Sequence, residues 1–293
     1  MPLQVRQLKA VKQQLVDANA IPKGLILTNP SVAGDIVCMR QIEYKDAKNV
    51  NSMMLHNMKT STSIHVETPW DLLMPSNGMY VGLEDVRIVW YKDRLMFTAT
   101  CTHASLSYQS EMVVGMFNEG LNGIERMSYV PFGDPPVKNI CPFVVGDDLL
   151  LLDIMSLNIH KVQEEVAPEG TWKAYKAVPW KSLSCLKNEL RGSTTPVHLH
   201  GSTWGCIVHD IVCNNNTITQ TVTKLAYFHY WLEFDIDRGV VTYLSSPFFI
   251  ARFGVEFVSG IAYDKSNQEV QLFQGVDDKT CIIASTSLHE LRL

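Results

Sequence analysis

Several familiar signatures are missing from this sequence. The seven cysteines, Cys38, Cys101, Cys141, Cys185, Cys206, Cys213 and Cys281, are odd in number and include no CxxC pair. A disulfide framework or a cysteine zinc site is therefore not expected, and each thiol reads as a small reduced core residue. No apolar leader opens the chain: MPLQVRQLKAVKQQL alternates Lys, Arg and Gln with apolar residues. A cytoplasmic location is the expectation. No apolar run approaches the ~20 residues of a membrane span. The best, residues 149–152, is bracketed by Asp147, Asp148 and Asp153. Nor is there a basic tail. The net charge of −5 argues against a broad nucleic-acid or anionic-membrane footprint and still allows a small basic pocket for one phosphate or nucleotide.

What is present is a large globular core: 46% hydrophobic and 19% charged residues in a chain of 293. Residues 3–19 read as a helix, with Leu8, Val11 and Leu15 on one face and Asn19 and Pro22 ending it. Residues 1–22 are expected to form an N-terminal capping helix on the main body. After Pro22 the texture changes to short apolar strands and tight turns. Residues 24–28 and 35–44 read as strands joined by a Pro30/Gly34 turn, and residues 45–63 as a polar loop. Strands then recur around turns at Lys92-Asp93, Gly146-Asp147, His200-Gly201 and Asp264-Lys265.

Weak repeats of roughly 50 to 60 residues, each opened by a polar or charged motif, suggest an all-β chain folded as a β-propeller. Openings near Pro30, Glu84, Lys138, Arg191 and Gly254 predict a single five-bladed β-propeller over residues 23–293. In such a fold the first strand of each blade lines the channel, so the opening residues converge at one mouth. A two-sheet sandwich would not explain why polar motifs recur at these places.

The densest motif is Gly82-Leu-Glu-Asp-Val-Arg-Ile-Val-Trp-Tyr91. Strand alternation puts Asp85 and Arg87 on one face, where Arg87 would hold Asp85 ionised or orient it. The same motif supplies Glu84, and the other openings supply Arg40, Lys138 and Asn139. They also supply Arg191 with the hydroxyls of Ser193 and Thr194, and Glu256 with Asp278. His209 ends one apolar strand and His229 sits in the next. Cations, carboxylates and neutral hydrogen-bonders gathered in one cleft suit a sugar and an anionic leaving or activating group. An inverting glycosyl transfer needs one carboxyl group to move a proton to or from an oxygen, and Asp85 is the candidate. The alternate His198 and His200 suggest a metal, but spacing places no third ligand, so neither a metal nor a cofactor is expected.

These motifs resemble glycoside hydrolase family 130, the five-bladed propeller β-mannoside phosphorylases and hydrolases, and the related propeller β-1,2-mannosyltransferases. GLEDVRI is similar to the family's EDPR motif, which implies that Asp85 is the catalytic acid. KNICPF resembles KNW-x-PF, implying sugar contacts for Lys138 and Asn139. RGSTTP resembles R-G-[GS]-[ST]-P, implying a phosphate or acceptor contact for Arg191. GVEFVSG and QGVDDKT resemble the final-blade segments, implying a sugar-hydroxyl contact for Asp278. IVHDIV and YFHYWLEFD look more like propeller proteins associated with glycan-synthesising clusters. Val86 stands where the family has Pro, Ile140 where it has Trp, and Tyr230 where Arg is usual. The resemblance implies an inverting glycosyltransferase that takes a nucleotide sugar or sugar phosphate and a glycan acceptor. A β-mannoside phosphorylase or hydrolase, or a glycan-binding propeller without catalysis, is the alternative.

Overall fold

The structure, a computed structural model, describes residues 5–15, 25–45, 48–68, 80–102, 110–130, 138–166, 173–184, 190–216 and 221–293. These residues form five sheets, and the second and third of them run in strict chain order. The first sheet runs Leu25–Ala33, Ile36–Lys45, Lys48–Asn57, Thr62–Val66, with Tyr80–Val81 alongside. The second runs Leu83–Tyr91, Arg94–Thr102, Ser110–Phe117, Ile124–Val130. The third runs Cys141–Val145, Asp148–Asp153, Asn158–Val166, Lys173–Ser182. The fourth is built on the long pair Thr203–Asn216 and Thr221–Asp235, with Arg191–Gly192 on its inner edge. The fifth starts with Glu256–Asp264, Glu269–Val276 and Thr280–Ser287.

Each sheet alternates buried residues to both faces, and the apolar core is correspondingly divided into five layers. Met53, Leu83, Ile88 and Phe97 fill the space between the first and second sheets. Met96, Met112, Leu149 and Leu151 fill that between the second and third. Phe143, Leu150, Val208 and Phe234 join the third and fourth, and Ile207, Trp231, Val258 and Leu272 the fourth and fifth. The last layer, with Leu27, Val37, Met39, Phe273 and Ile283, joins the fifth sheet back to the first. The sheets therefore close into a ring. Hydrogen bonds between neighbouring sheets follow the same circuit. Ile88 N–H donates to Ser31 Oγ at 3.0 Å and Thr98 Oγ1 to the Ile140 carbonyl at 2.9 Å. Ser259 Oγ donates to the Pro30 carbonyl at 3.0 Å.

The N-terminal segment departs from the expected capping helix. Arg6–Gln7 is a strand parallel to Phe248–Phe249, and Val11–Gln14 is the outer strand of the fifth sheet, with Val11 opposite Ser285 and Gln14 opposite Ile282. The fifth sheet has only three strands from the C-terminal stretch, so its edge carries unpaired backbone groups that a returning N-terminal strand satisfies. Tertiary pairing overrides a weak helical pattern: Leu8 is buried, but Val11 on the supposed apolar face is 77% exposed. Arg6 then locks the two ends of the chain together, donating to the Glu290 carboxylate at 3.1 Å and the Glu290 carbonyl at 2.6 Å.

Two other expectations are revised. The supposed loop at 45–63 contains the strand Lys48–Asn57, since its polar side chains alternate with buried Asn51, Met53 and Leu55. Pro30 lies within a strand, not in a turn. A register shift between Thr28 and Ser31 accommodates it, and the hairpin turns instead at Gly34 and Asp35. Among the described residues no helix is long and apolar enough to cross a membrane.

Candidate functional site

The site is built on a backbone feature that repeats in or just before three neighbouring inner strands. Asn29, Asp85 and Asn139 all have left-handed backbone, with φ of 50°, 51° and 63°. Asn and Asp tolerate this region better than other non-glycine residues. At Asp85 the kink is a bulge: the pairing with the next strand shifts register between Glu84 and Arg87. One extra residue cancels the strict alternation expected for this strand.

The expected side-chain pair between Asp85 and Arg87 is accordingly absent. Arg87 is fully buried, and its Nη1 donates to the Asp85 backbone carbonyl at 2.6 Å, not to the carboxylate. Its Nε donates to the Ser193 carbonyl at 2.5 Å, and its guanidinium lies over the Phe257 ring at 5.2 Å. Arg87 thus ties the second sheet to the fourth and fixes the kink beneath Asp85. It acts on the carboxylate as a nearby charge.

The direct partners of the carboxylate come from the first sheet. Asn29 Nδ2 donates to Asp85 Oδ1 at 2.7 Å, and Arg40 Nη1 stands 4.0 Å from the same oxygen. Arg40 also faces Glu84 at 3.8 Å and donates from Nε to Asn51 Oδ1 at 2.8 Å. Asn29 is held in turn by Thr28 Oγ1, which donates to its Oδ1 at 3.0 Å. Sequence reasoning missed Asn29. It falls just after residues 24–28, read as a strand, and next to Pro30, read as part of a turn. The Asp85 side chain is 18% exposed, so it sits at the rim of buried structure with one side open. Burial pushes its carboxyl up, but the charges of Arg87, Arg40 and Lys138, with the Asn29 hydrogen bond, outweigh this and hold it below the usual range.

The other expected site residues divide into two groups. Lys138 is half-buried and acts on Asp85 electrostatically. Asn139 is buried, with its Oδ1 lacking a hydrogen-bond partner, and its carbonyl packs against Gly192 so closely that a Cβ there would lie 2.4 Å away. Arg191, next to it, is exposed and lies opposite His209 in the fourth sheet. His209 is buried, 2.7 Å from Ser193 Oγ through Nδ1, and its ring packs on Phe257 at 5.0 Å and Tyr227 at 5.6 Å. Phe257 is paired with Gly275, and a Cβ on Gly275 would meet Thr28 Oγ1 at 2.6 Å. One connected patch therefore holds Arg40, Glu84, Asp85, Arg87, Lys138, Asn139 and His209. Asp278 is exposed in the turn after Val276, beside Asp277, which pairs with Arg252.

Glu256 and His229 have structural partners instead. Both side chains are 0% exposed. Glu256 Oε2 accepts from the N–H groups of Ala251 at 2.8 Å and Arg252 at 3.2 Å, and its Oε1 accepts from Ile250. It pins the connection that crosses from the fourth sheet to the fifth. His229 Nε2 accepts from Val258 N–H at 3.3 Å, which makes the ring neutral, and burial lowers its pKa to about 3. Buried thiols are likewise quiet: burial pushes Cys38 and Cys281 up to about 12 and Cys141 to about 11. Among the described residues, no group of three His, Cys, Asp or Glu side chains could hold a metal ion.

No protein-family model matches the chain, and no curated protein matches it. Solved structures do. The chain is similar to MPT-4, a mannose phosphorylase from Leishmania mexicana solved with phosphate ion. The TM-score is 0.59 at 13% identity, over 97% of this chain and 89% of that one. The fold is that of a β-propeller. The chain is also similar to MPT-1, a GDP-Man-dependent mannosyltransferase from the same organism, with a TM-score of 0.57 and 12% identity over 90% of this chain and 85% of that one. A β-1,2-mannobiose phosphorylase from Listeria innocua gives 0.57 and 12% over 95% and 96%.

Proposed function

We propose that the protein is a carbohydrate-active enzyme that transfers a glycosyl group with inversion, using Asp85 to move the proton. Each sheet is read as one blade, which gives a five-bladed propeller with its catalytic mouth at the kinked inner strands. The observation that carries the reading is the setting of Asp85. Its carboxylate is raised on a left-handed kink, anchored by Asn29, and surrounded by Arg40, Arg87 and Lys138 with one side open. A carboxylate in such company is suited to chemistry in which a phosphate-bearing group arrives or departs beside it.

The direction favoured is transfer from a nucleotide sugar or sugar phosphate to a glycan. Asp85 is an anion in the free protein, which is the form of a base. It would take the proton from an acceptor hydroxyl as that oxygen attacks the anomeric carbon from the opposite face. The bond from that carbon to the phosphate oxygen breaks, and the leaving group departs with the electron pair. Arg40 and Lys138 stand where they would neutralise it. Arg191 and Asp278, both exposed, are the residues proposed to meet the acceptor. Solved relatives of this fold include phosphorylases and a transferase of mannose, so a mannosyl group is the first donor to test.

Phosphorolysis is the second reading. The same cations would hold free phosphate, and the reverse step needs Asp85 to protonate the glycosidic oxygen. Incubating the protein with GDP-mannose, with mannose 1-phosphate, and with phosphate plus a β-1,2-mannoside separates the two. Transfer predicts released GDP or phosphate and an extended glycan. Phosphorolysis predicts mannose 1-phosphate. No turnover on any of the three, together with no thermal stabilisation by them, would remove the enzymatic reading.

A further inference from the structure

Phe253 is an exposed ring held in a fixed place. Among the described phenylalanines it alone is exposed, at 61%. It lies in the connection from the fourth sheet to the fifth. That connection leads directly into Glu256–Asp264, the strand whose Phe257 ring lies under the Arg87 guanidinium. The connection is well anchored. The Glu256 carboxylate accepts from three of its N–H groups, Arg252 pairs with Asp277, and the Gly254 carbonyl accepts from Tyr227 N–H at 3.0 Å. The Phe253 ring is itself seated on two others, 5.6 Å from Phe228 and 6.4 Å from Phe249. Phe228 is paired directly with Asp210 in the adjacent strand, so these two side chains share one face of the fourth sheet. Asp210 is exposed, and its Oδ1 accepts from Ile211 N–H at 2.7 Å, which restricts where the carboxylate can turn. A carboxylate and an exposed ring therefore flank the same buried phenylalanine.

The ring adjoins the candidate site without entering it. From Arg87 the contacts run to Phe257, from Phe257 to the Tyr227 ring at 6.0 Å, and from the Tyr227 backbone to Gly254. His209, which precedes Asp210, packs on Tyr227 and so faces the other side of its strand from Asp210. We infer, on the basis of the proposed function, that Phe253 and Asp210 form a second saccharide subsite, which holds a sugar of the acceptor glycan beyond the one that reacts. The two groups together fit that class of ligand. A pyranose has an apolar C–H face that a flat ring can cover, and hydroxyls at its edge that donate to a carboxylate. An acyl chain or an apolar peptide side chain would cover the ring equally well, but it would leave the Asp210 carboxylate desolvated and unpaired. Because the connection and the ring are already in place, little ordering opposes binding. Longer glycans would then be held more tightly than short ones.

The probes are β-1,2-linked mannobiose and mannotetraose, the linkage named for the Listeria innocua relative. Affinities are measured by calorimetry on Asp85→Asn, so that no turnover consumes the ligand. The tetraose should bind about tenfold more tightly than the biose. Adding Phe253→Ala should weaken the tetraose about tenfold and remove that difference, whereas Phe253→Trp should keep it. Adding Asp210→Asn should weaken the tetraose severalfold. The biose affinity is the control for folding, since it should stay the same in all of these. Equal affinity for the two glycans, no binding of either, a tetraose affinity unchanged in Phe253→Ala or in Asp210→Asn, or an equal loss for both glycans in Phe253→Ala each overturns the inference. The enzymatic reading is decided separately, by turnover of the wild type. Turnover without a chain-length effect removes only the subsite, and a chain-length effect without turnover removes only the enzyme.

Discussion

Gly275 offers a test of whether the packing behind Asp85 matters for its chemistry. This residue sits in the middle strand of the fifth sheet, paired with Phe257 and Cys281. A Cβ built on it would lie 2.6 Å from Thr28 Oγ1, 2.9 Å from Asn29 Oδ1 and 3.0 Å from Asn29 N. Neither neighbour can swing away. Thr28 is 0% exposed, Asn29 is 5% exposed, and Asn29 is already bonded to Thr28 and to Asp85. Gly275→Ala should therefore cost about 1–3 kcal/mol by overpacking. For a domain of this size each kcal/mol lowers Tm by about 2–4 °C, which calorimetry resolves. The same clash pushes Asn29 off Asp85. A hydrogen bond to a charged group is worth about 1.5–3 kcal/mol, so turnover should fall about tenfold or more. Gly146→Ala is the comparison. It has open space around it but a φ of +57°, so it should lose stability through backbone strain and keep its turnover. If Gly275→Ala melts and turns over like the wild type, or if Gly146→Ala loses activity equally, the coupling described here is wrong.

The buried imidazole gives a pH prediction. His229 is neutral when folded, with a pKa of about 3 against 6.5 as the ordinary value. The unfolded chain binds a proton that the folded chain does not, so the stability from this group is full above pH 6.5 and is lost as pH falls towards 3. The loss is up to about 1.4 kcal/mol per pH unit. Urea unfolding at pH 7, 6 and 5 should show a shallower slope in His229→Gln, and equal slopes would count against the assignment. Glu256→Ala strands three backbone N–H groups at the crossing into the fifth sheet and should cost about 2–4 kcal/mol in urea unfolding. Arg6→Ala removes the bonds to Glu290 and the cation over Phe248, and should cost about 1–3 kcal/mol. It should also speed hydrogen exchange in Val11–Gln14, and unchanged exchange there would argue that the outer strand holds without Arg6.

The sequence carried the sheets better than the edges. Apolar runs such as 149–152 and 204–208 are core strands because they are buried from both faces, and Lys92-Asp93 is a hairpin because both residues reach positive φ. The N-terminal strands were not legible. Their partners lie some 240–270 residues away, and no local pattern announces a sheet edge in need of cover. At the site, the charges of the Glu84–Arg87 stretch were plain, but their directions were not. A single bulge moved Arg87 from the Asp85 carboxylate to its carbonyl and left Arg40 and Asn29 as the carboxylate's near partners. The structural partners of His229 and Glu256 were not legible for a related reason. A polar residue in an apolar strand looks the same in sequence whether it faces a channel or pins a crossing chain.

Everything about the site turns on one carboxylate, so its removal is the most direct measurement. Asp85→Asn keeps the shape of the side chain and can still accept the Asn29 hydrogen bond through its amide oxygen. Turnover with the best donor and acceptor pair should fall about 10²–10⁴-fold while sugar binding survives. An Asp85→Asn protein that works within a few-fold of wild type would show that the proton moves elsewhere.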